Sequence, residues 1–378
     1  MSETTESSLA ERLTALTRDL ILIRSTHTHP EERRRAFGFL RNHLDPLPGI
    51  KTESHFCDGF ESLVARPADA VMPEILFCAH IDVIEHPHQE TYDSRIENGR
   101  IVGPGAGDMK GSLACLLDLF VRLHHATPGL PLALAVTSDE ELGGECGFRH
   151  LFDDIGLRCG VALLPDGGAP NRVTIEEKGI LHLVLKKRGR AGHAARPWLA
   201  DNPLLPMMRQ VERLHEHFRS LGPDTPPAID GAHWFPTCAP TIVRTDNDAI
   251  NRIPDLVEAV LDIRFPRPET VASIVERVRS QLDDDTEMEV VISAEPSHLA
   301  PDPRFLAITA RITGLPVQRV RTSGGSDARF IAAHNIPVLV SRPAVGNLHA
   351  TDEWIDIASM VTHYRICETY VRERLGIG

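Results

Sequence analysis

His80, Asp108, Glu141, Asp166 and His349 are the residues of this chain whose types and settings suit metal chemistry. His80 closes the apolar run "EILFCAH" and is followed two positions later by Asp82. In a strand, residues i and i+2 share a face, so Asp82 can accept the proton on the far imidazole nitrogen and orient the ring. A surface histidine beside a turn aspartate would look the same. Asp108 ends the glycine-spaced "GPGAGD", where it could equally cap the following helix. Its glycine spacing matches neither a dinucleotide fingerprint nor a Walker loop. Asp139, Glu140 and Glu141 follow "LPLALAVTS", and Asp166 follows "CGVALLP" before a Gly-Gly turn. His349, in "GNLHATDEW", precedes a helix whose N-cap is expected at Thr351. An acidic helix start and a loop histidine are the plain alternatives at these last positions.

Taken together, two imidazoles and three carboxylates suit two divalent ions sharing one bridging carboxylate, with Glu140 left over. Zinc fits such a donor set first, with Co²⁺ or Mn²⁺ as alternatives. Paired ions of this kind lie roughly 3.5–4 Å apart, and a hydroxide between them attacks a polarised carbonyl.

The elements that must position these residues follow from the apolar pattern. The runs 74–80, 130–138 and 159–166 read as buried strands of a mostly parallel sheet, separated by helices. The helix after Asp108 carries Leu113, Leu116, Leu117, Phe120 and Val121 on one face. Open α/β sheets build their sites at the carboxyl ends of strands, where these acids and His80 fall. From 176 the order becomes strand–helix–strand–strand–helix–strand, the order of a ferredoxin-like α+β unit. The expected organisation is therefore an α/β domain over 1–175 and 293–378, interrupted by an inserted unit over 176–292. A helix near 303–313, the strand "PVLVSRP" and a final helix from Glu353 complete the chain. At the start, Leu9, Leu13, Leu16 and Leu20 mark a capped surface helix, not a signal peptide.

A net charge of −13 argues against a nucleic-acid partner, and no apolar stretch reaches membrane-span length. The 7 cysteines are scattered without a CxxC pair, so they are expected to be reduced thiols in a cytoplasmic protein. In the second half, Arg264 interrupts an otherwise apolar strand, with the side chain best shaped to hold a carboxylate. Ser326, after two glycines, precedes a short helix that could offer an anion site, with Arg329 nearby.

The segments "AHID", "GPGAGDMKG", "SDEE", "GHAARP", "GGSDARF" and "NLHATDE" occur in the order in which they stand in the M20 family of co-catalytic metallopeptidases and deacylases. The chain resembles that family over nearly its whole length. The resemblance implies that Asp108 bridges two metals, with His80 and Asp166 completing one site and Glu141 and His349 the other. It implies Glu140 as general base and Asp82 as the partner of His80. It further implies a lid and dimerisation domain, with His193 stabilising the oxyanion of a neighbouring subunit and Asn251 contacting substrate. The substrate would be a small N-acyl amino acid or a short peptide, and the assembly a homodimer. One departure stands out: the family's deacetylases and carboxypeptidases carry Glu where this chain has Asp166. The "DGG" form is closer to the aminopeptidase and dipeptidase branch. A di- or tripeptide exopeptidase is thus the main rival. A non-catalytic relative, a transferase and a single-metal binding protein rank below it, because Glu140 and all five ligands are intact.

Overall fold

The computed structural model describes residues 3–69, 72–225, 227 and 233–377. It divides into two compact units, one made of Met1–Ile175, Leu299–Val320 and Ser326–Gly378, the other of Glu176–His298 and Arg321–Gly325. Among the described residues no helix is long and apolar enough to cross a membrane.

The first unit is built on a six-stranded sheet. Strands β1 (Ile50–Cys57) and β2 (Phe60–Pro67) form an antiparallel hairpin at one edge. Next come β4 (Leu132–Thr137), β3 (Ile75–His80), β5 (Val161–Leu163) and the short strand Val338–Leu339. The pairings of β3 with β4 and β5, and of β5 with Val338–Leu339, are parallel. Every residue of β3, β4 and β5 is buried, as expected where helices cover both faces of a parallel sheet. The register aligns His80 with Thr137 and Phe77 with Leu163. The ends of β3 and β4 therefore stand level, whereas β5 stops three residues short, and the chain runs on from it through Leu164 and Pro165 to Asp166.

Helices α1 (Glu3–Ile21) and α3 (Gly111–Ala126) pack on each other and on the last helix, Ile357–Leu375, while α2 (Pro30–Leu44) packs on α3 and on the β1–β2 hairpin. Leu9, Leu13 and Leu20 of α1 are at most 2% exposed. Truncating one of them to alanine costs about 2–5 kcal/mol. The single apolar face expected for α3 is too narrow a description. Gly111 to Leu117 are all buried, including Ser112, because the helix is enclosed by the sheet and by its helical neighbours.

Four short strands form a second sheet in the order Val345–Gly346, Trp354–Asp356, Arg100–Val102, Arg95–Glu97. This corrects the end of the chain. The last helix begins at Ile357, not Glu353, and its cap is Asp356, whose carboxylate accepts the Ser359 N–H at 2.7 Å. Thr351 is not the cap. Trp354 and Ile355 prefer the extended backbone and pair with Val102 and Ile101, which postpones the helix.

The expectation that all cysteines are reduced thiols also fails at one pair. Cys57 and Cys146 form a disulfide with their Cα atoms 5.1 Å apart, and Cys78, Cys115, Cys159, Cys238 and Cys367 are buried free thiols. The partners are separated by 89 residues, so no local spacing announces them.

The second unit is a four-stranded antiparallel sheet. Its strands are β6 (Gly179–Arg188), β7 (Thr237–Arg244), β8 (Leu256–Phe265) and β9 (Thr286–Ala294), ordered β7–β8–β6–β9. Leu181, Leu183 and Leu185 of β6 and Val257, Ala259, Leu261 and Ile263 of β8 alternate inward and form a core with α4 (Leu204–Arg219) and α5 (Val271–Arg279). Helix α5 is fixed at its start by a reciprocal capping box between Thr270 and Ser273.

Candidate metal centre

His80 is the last residue of the central strand, and its side chain is 1% exposed. Its Nδ1 lies 3.1 Å from the backbone carbonyl of Asp82 and 3.5 Å from that residue's Oδ1. The second carboxylate oxygen of Asp82 accepts the Glu141 N–H at 3.0 Å. Asp82 thus contacts both the ring leaving β3 and the loop leaving β4. The remaining ring nitrogen, Nε2, sits 3.3 Å from Asp108 Oδ1 and 4.0 Å from Glu140 Oε2.

Asp108 is delivered by the turn Ala106–Lys110, and its backbone is extended there, not helical. It does not cap α3. Gly107 is required at this turn, since a Cβ there would meet Val345 and Leu348 at 2.9 Å. The turn is held by Glu353, whose Oε1 accepts the N–H groups of Gly107 (2.7 Å) and Asp108 (2.8 Å). Asp108 Oδ2 lies 3.4 Å from His349 Nε2, which is itself 3.3 Å from Glu141 Oε2. His349 stands on the loop between Val345–Gly346 and Trp354–Asp356, with a left-handed φ of 65°.

Two donor triads result, His80/Asp108/Asp166 and Asp108/Glu141/His349, each with its donor atoms within 4.8 Å of one another. Asp108 belongs to both. The electrostatics show what the arrangement lacks. Burial pushes Asp166 up to about 6 and Glu141 to about 8, with the nearby Asp108 charge adding to both. Burial, reinforced by Asp166, Asp327 and Asp108, drives Glu140 well above the carboxylate range. Burial works against the charge of His80, yet hydrogen bonds to Asp108 and Asp82 raise its pKa well above the usual value. The hydrogen bond to Asp108 raises His349 to about 9. Burial opposes the ionisation of Asp108, but hydrogen bonds from His349 and His80 outweigh it and hold the group far below its ordinary value. Four crowded carboxyls competing for two imidazoles form a site in want of cations. The donor set, oxygen and imidazole nitrogen only, fits divalent ions of the zinc type.

Several contributors escaped the sequence reading. Glu353 was expected only to start the last helix. Asp139 is buried, and its Oδ2 accepts the N–H groups of Cys146 (2.6 Å) and Gly147 (3.0 Å), folding the loop that carries Glu140 and Glu141. Arg342 approaches Asp166 at 3.6 Å. Asp327 is wholly buried, and a Cβ at Gly144 would collide with its Oδ1. Lys110 is fully buried with Nζ donating to the Ile23 carbonyl at 2.6 Å, and burial lowers it to about 7.

The other expected residues are engaged locally. The helix after Ser326 spans only Ala328–Ala332, and Ser326 Oγ accepts the Ala328 N–H at 3.3 Å. Arg329 donates to the Gly143 carbonyl at 2.7 Å. In the second unit, His193 is exposed on a two-residue strand paired with Arg252, and the Asn251 carbonyl accepts the Ala194 N–H at 2.8 Å. His193 and Asn251 are therefore neighbours. Arg264 grips Asp262 through two contacts of 2.7 and 3.1 Å, an i, i+2 pair on one strand face.

Comparison with known proteins decides the family. The profile of peptidase family M20/M25/M40 matches residues 76–373. The chain belongs to that family. It is a hydrolase, and membership implies amide or peptide hydrolysis with divalent metal ions. The chain is 30% identical over 331 residues to a succinyl-diaminopimelate desuccinylase of Alkalilimnicola ehrlichii, covering 80% of this chain and 84% of that one. The desuccinylase of Parvibaculum lavamentivorans is 28% identical, covering 93% of each. Among solved structures, a Staphylococcus aureus tripeptidase superposes with a TM-score of 0.78 at 17% identity, over 97% of this chain and 99% of its own. A metallo-carboxypeptidase of Sulfolobus solfataricus gives 0.78 at 17% over the full length of both. At such identity the structures bear on the fold alone, a mixed α/β fold of sheets and helices.

Proposed function

We propose that this chain is a two-zinc amide hydrolase that releases an amino acid from a small N-acyl amino acid. The observation that carries the reading is the pair of donor triads joined at Asp108. His80 and Asp166 would hold one ion, Glu141 and His349 the other, and Asp108 both. The ions would supply an activated water and polarise the scissile carbonyl. Glu140 is the general base: it stands beside His80 but belongs to neither triad, and burial favours its taking up a proton. Asp82 keeps the His80 ring in place and anchors Glu141 through its backbone. The desuccinylase relatives favour an acyl substrate. The Asp166-Gly-Gly sequence favours a di- or tripeptide instead, and this is the second reading.

The inserted segment 176–292 would act as lid and dimer contact within a cytoplasmic homodimer. Its strand β7 lies at the sheet edge with Ile242 and Val243 exposed, and Leu205 and Met208 of α4 are exposed as well. An open edge with apolar side chains is a natural pairing surface for a second copy. His193 would then stabilise the developing oxyanion in the neighbouring subunit, with Asn251, Arg264, Ser326 and Arg329 contacting substrate.

Metal analysis with turnover on a panel of N-acyl amino acids and dipeptides tests the assignment. Glu140→Gln should keep its metal and lose about 10²–10⁴-fold in rate. A Glu140→Gln enzyme near wild-type rate refutes the role. His193→Ala should lose about 10²–10³-fold. Subunit exchange between His193→Ala and Glu140→Gln proteins should restore activity, because one site in each mixed dimer is intact. Exchange without recovery excludes action in trans.

A further inference from the structure

Cys57 ends β1 at the hairpin tip, and Cys146 lies on the loop that begins at Asp139 and carries Glu140 and Glu141. The bond between them spans 89 residues of chain. Both are half-buried, whereas the five other cysteines are buried in the cores. Burial pushes the thiols of Cys159 and Cys238 up to about 12 and those of Cys78, Cys115 and Cys367 far above the ordinary range. Exchange chemistry needs an accessible thiolate, so this pair is where it can occur.

The loop is anchored at its start, where Asp82 accepts the Glu141 N–H at 3.0 Å, and then by a run of turn bonds. The Asp139 carbonyl accepts the Gly144 N–H at 2.9 Å, Asp139 Oδ2 accepts those of Cys146 and Gly147, and Arg329 holds the Gly143 carbonyl. Glu140–Leu142 form a single short turn among them. The disulfide fastens the far end of this loop to the antiparallel β1–β2 hairpin.

We propose that Cys57 and Cys146 form a reversible thiol–disulfide site that clamps the loop carrying Glu140 and Glu141, so that the hydrolase responds to the poise of low-molecular-weight thiols. This rests on the roles given above to the two glutamates. In oxidation, one cysteine thiolate attacks a sulfur of oxidised glutathione and expels glutathione thiolate. The second cysteine attacks the mixed disulfide, forms the Cys57–Cys146 bond and expels the second glutathione. The two protein thiols lose two electrons and two protons, and the glutathione disulfide gains them. Excess reduced glutathione runs the same steps backwards.

The test equilibrates the full-length, zinc-loaded protein in glutathione buffers from oxidising to reducing, followed by acid quench, alkylation and peptide mapping. In oxidising buffer 5 thiols should label, with Cys57 and Cys146 in one cross-linked peptide, and after reduction all 7. Reduction should speed hydrogen exchange of amides 139–147 and lower turnover about tenfold, a modest displacement of catalytic groups. Cys57→Ser and Cys146→Ser proteins, each checked for native circular dichroism, should match reduced wild type in every buffer. Seven labelled thiols under oxidising conditions overturn the site. Equal exchange and equal turnover in both states overturn the clamp. Absence of turnover on every substrate refutes the hydrolase reading instead, and the map and exchange rates still decide the clamp.

Discussion

The two donor triads contain the same kinds of ligand held in opposite ways. His80 lies at the end of a central strand with its side chain 1% exposed, and its ring is bracketed by Asp82 and Asp108. His349 lies on a hairpin loop with its side chain 51% exposed. The first triad draws its histidine from a strand whose every residue is buried. The second draws its own from a segment that only short strands hold. A strand end fixes a ligand before any ion arrives, and a loop leaves part of that ordering to the ion itself. The half built on β3 is therefore the tighter one under the proposed reading, and the half built on His349 is the one that exchanges.

The largest effect expected comes from the residue common to both halves. Asp108→Ala should abolish binding of both ions and reduce turnover to background. Elemental analysis showing full metal in that variant would break the idea that the halves are joined. Next, His80→Ala and His349→Ala separate them. Zinc titration of the wild type should resolve a tighter and a weaker step; His80→Ala should remove the tighter and His349→Ala the weaker. The reverse assignment contradicts the comparison.

A smaller effect concerns the metal-free protein. Burial raises Glu141 to about 8, and the hydrogen bond to Asp108 raises His349 to about 9. Unfolded chains titrate these groups near about 4.3 and about 6.5. Between those limits the folded state binds more protons than the unfolded one, so metal-free stability should fall as pH rises from about 5 to about 9. Zinc displaces those protons, and the decline should flatten when it is present. Calorimetric scans across this range with and without chelator check the sign. The smallest change is Glu353→Gln, which keeps an acceptor but removes its charge. It should cost about 1–3 kcal/mol and loosen the Asp108 turn, visible as a weakening of both zinc steps together. Weakening of one step only would mean that Glu353 serves a single half.

The alternation of apolar runs made the parallel sheet legible, because buried strands cannot hide their composition. It also pointed to His80, which ends its strand, and to Glu141 and Asp166, which stand four and three residues past theirs. Glu353 and Asp139 were not legible. Each acts by accepting backbone N–H groups, and such a role leaves no mark on residue type or spacing. The start of the last helix was misplaced for a related reason: Trp354 and Ile355 choose their pairing partners across 252 or more positions of chain, Val102 and Ile101. The disulfide was invisible because its partners meet only once the hairpin and the β4 loop are in place.

Glu353 stands four residues beyond His349 and receives the two amides that present Asp108. One short stretch thus sets the position of an outer donor and of the shared one. Loop length here is a fixed dimension of the enzyme: inserting even one residue between His349 and Glu353 would put the two out of step. Anyone reshaping the surroundings of these donors would do well to lengthen other loops and leave this one at its native length.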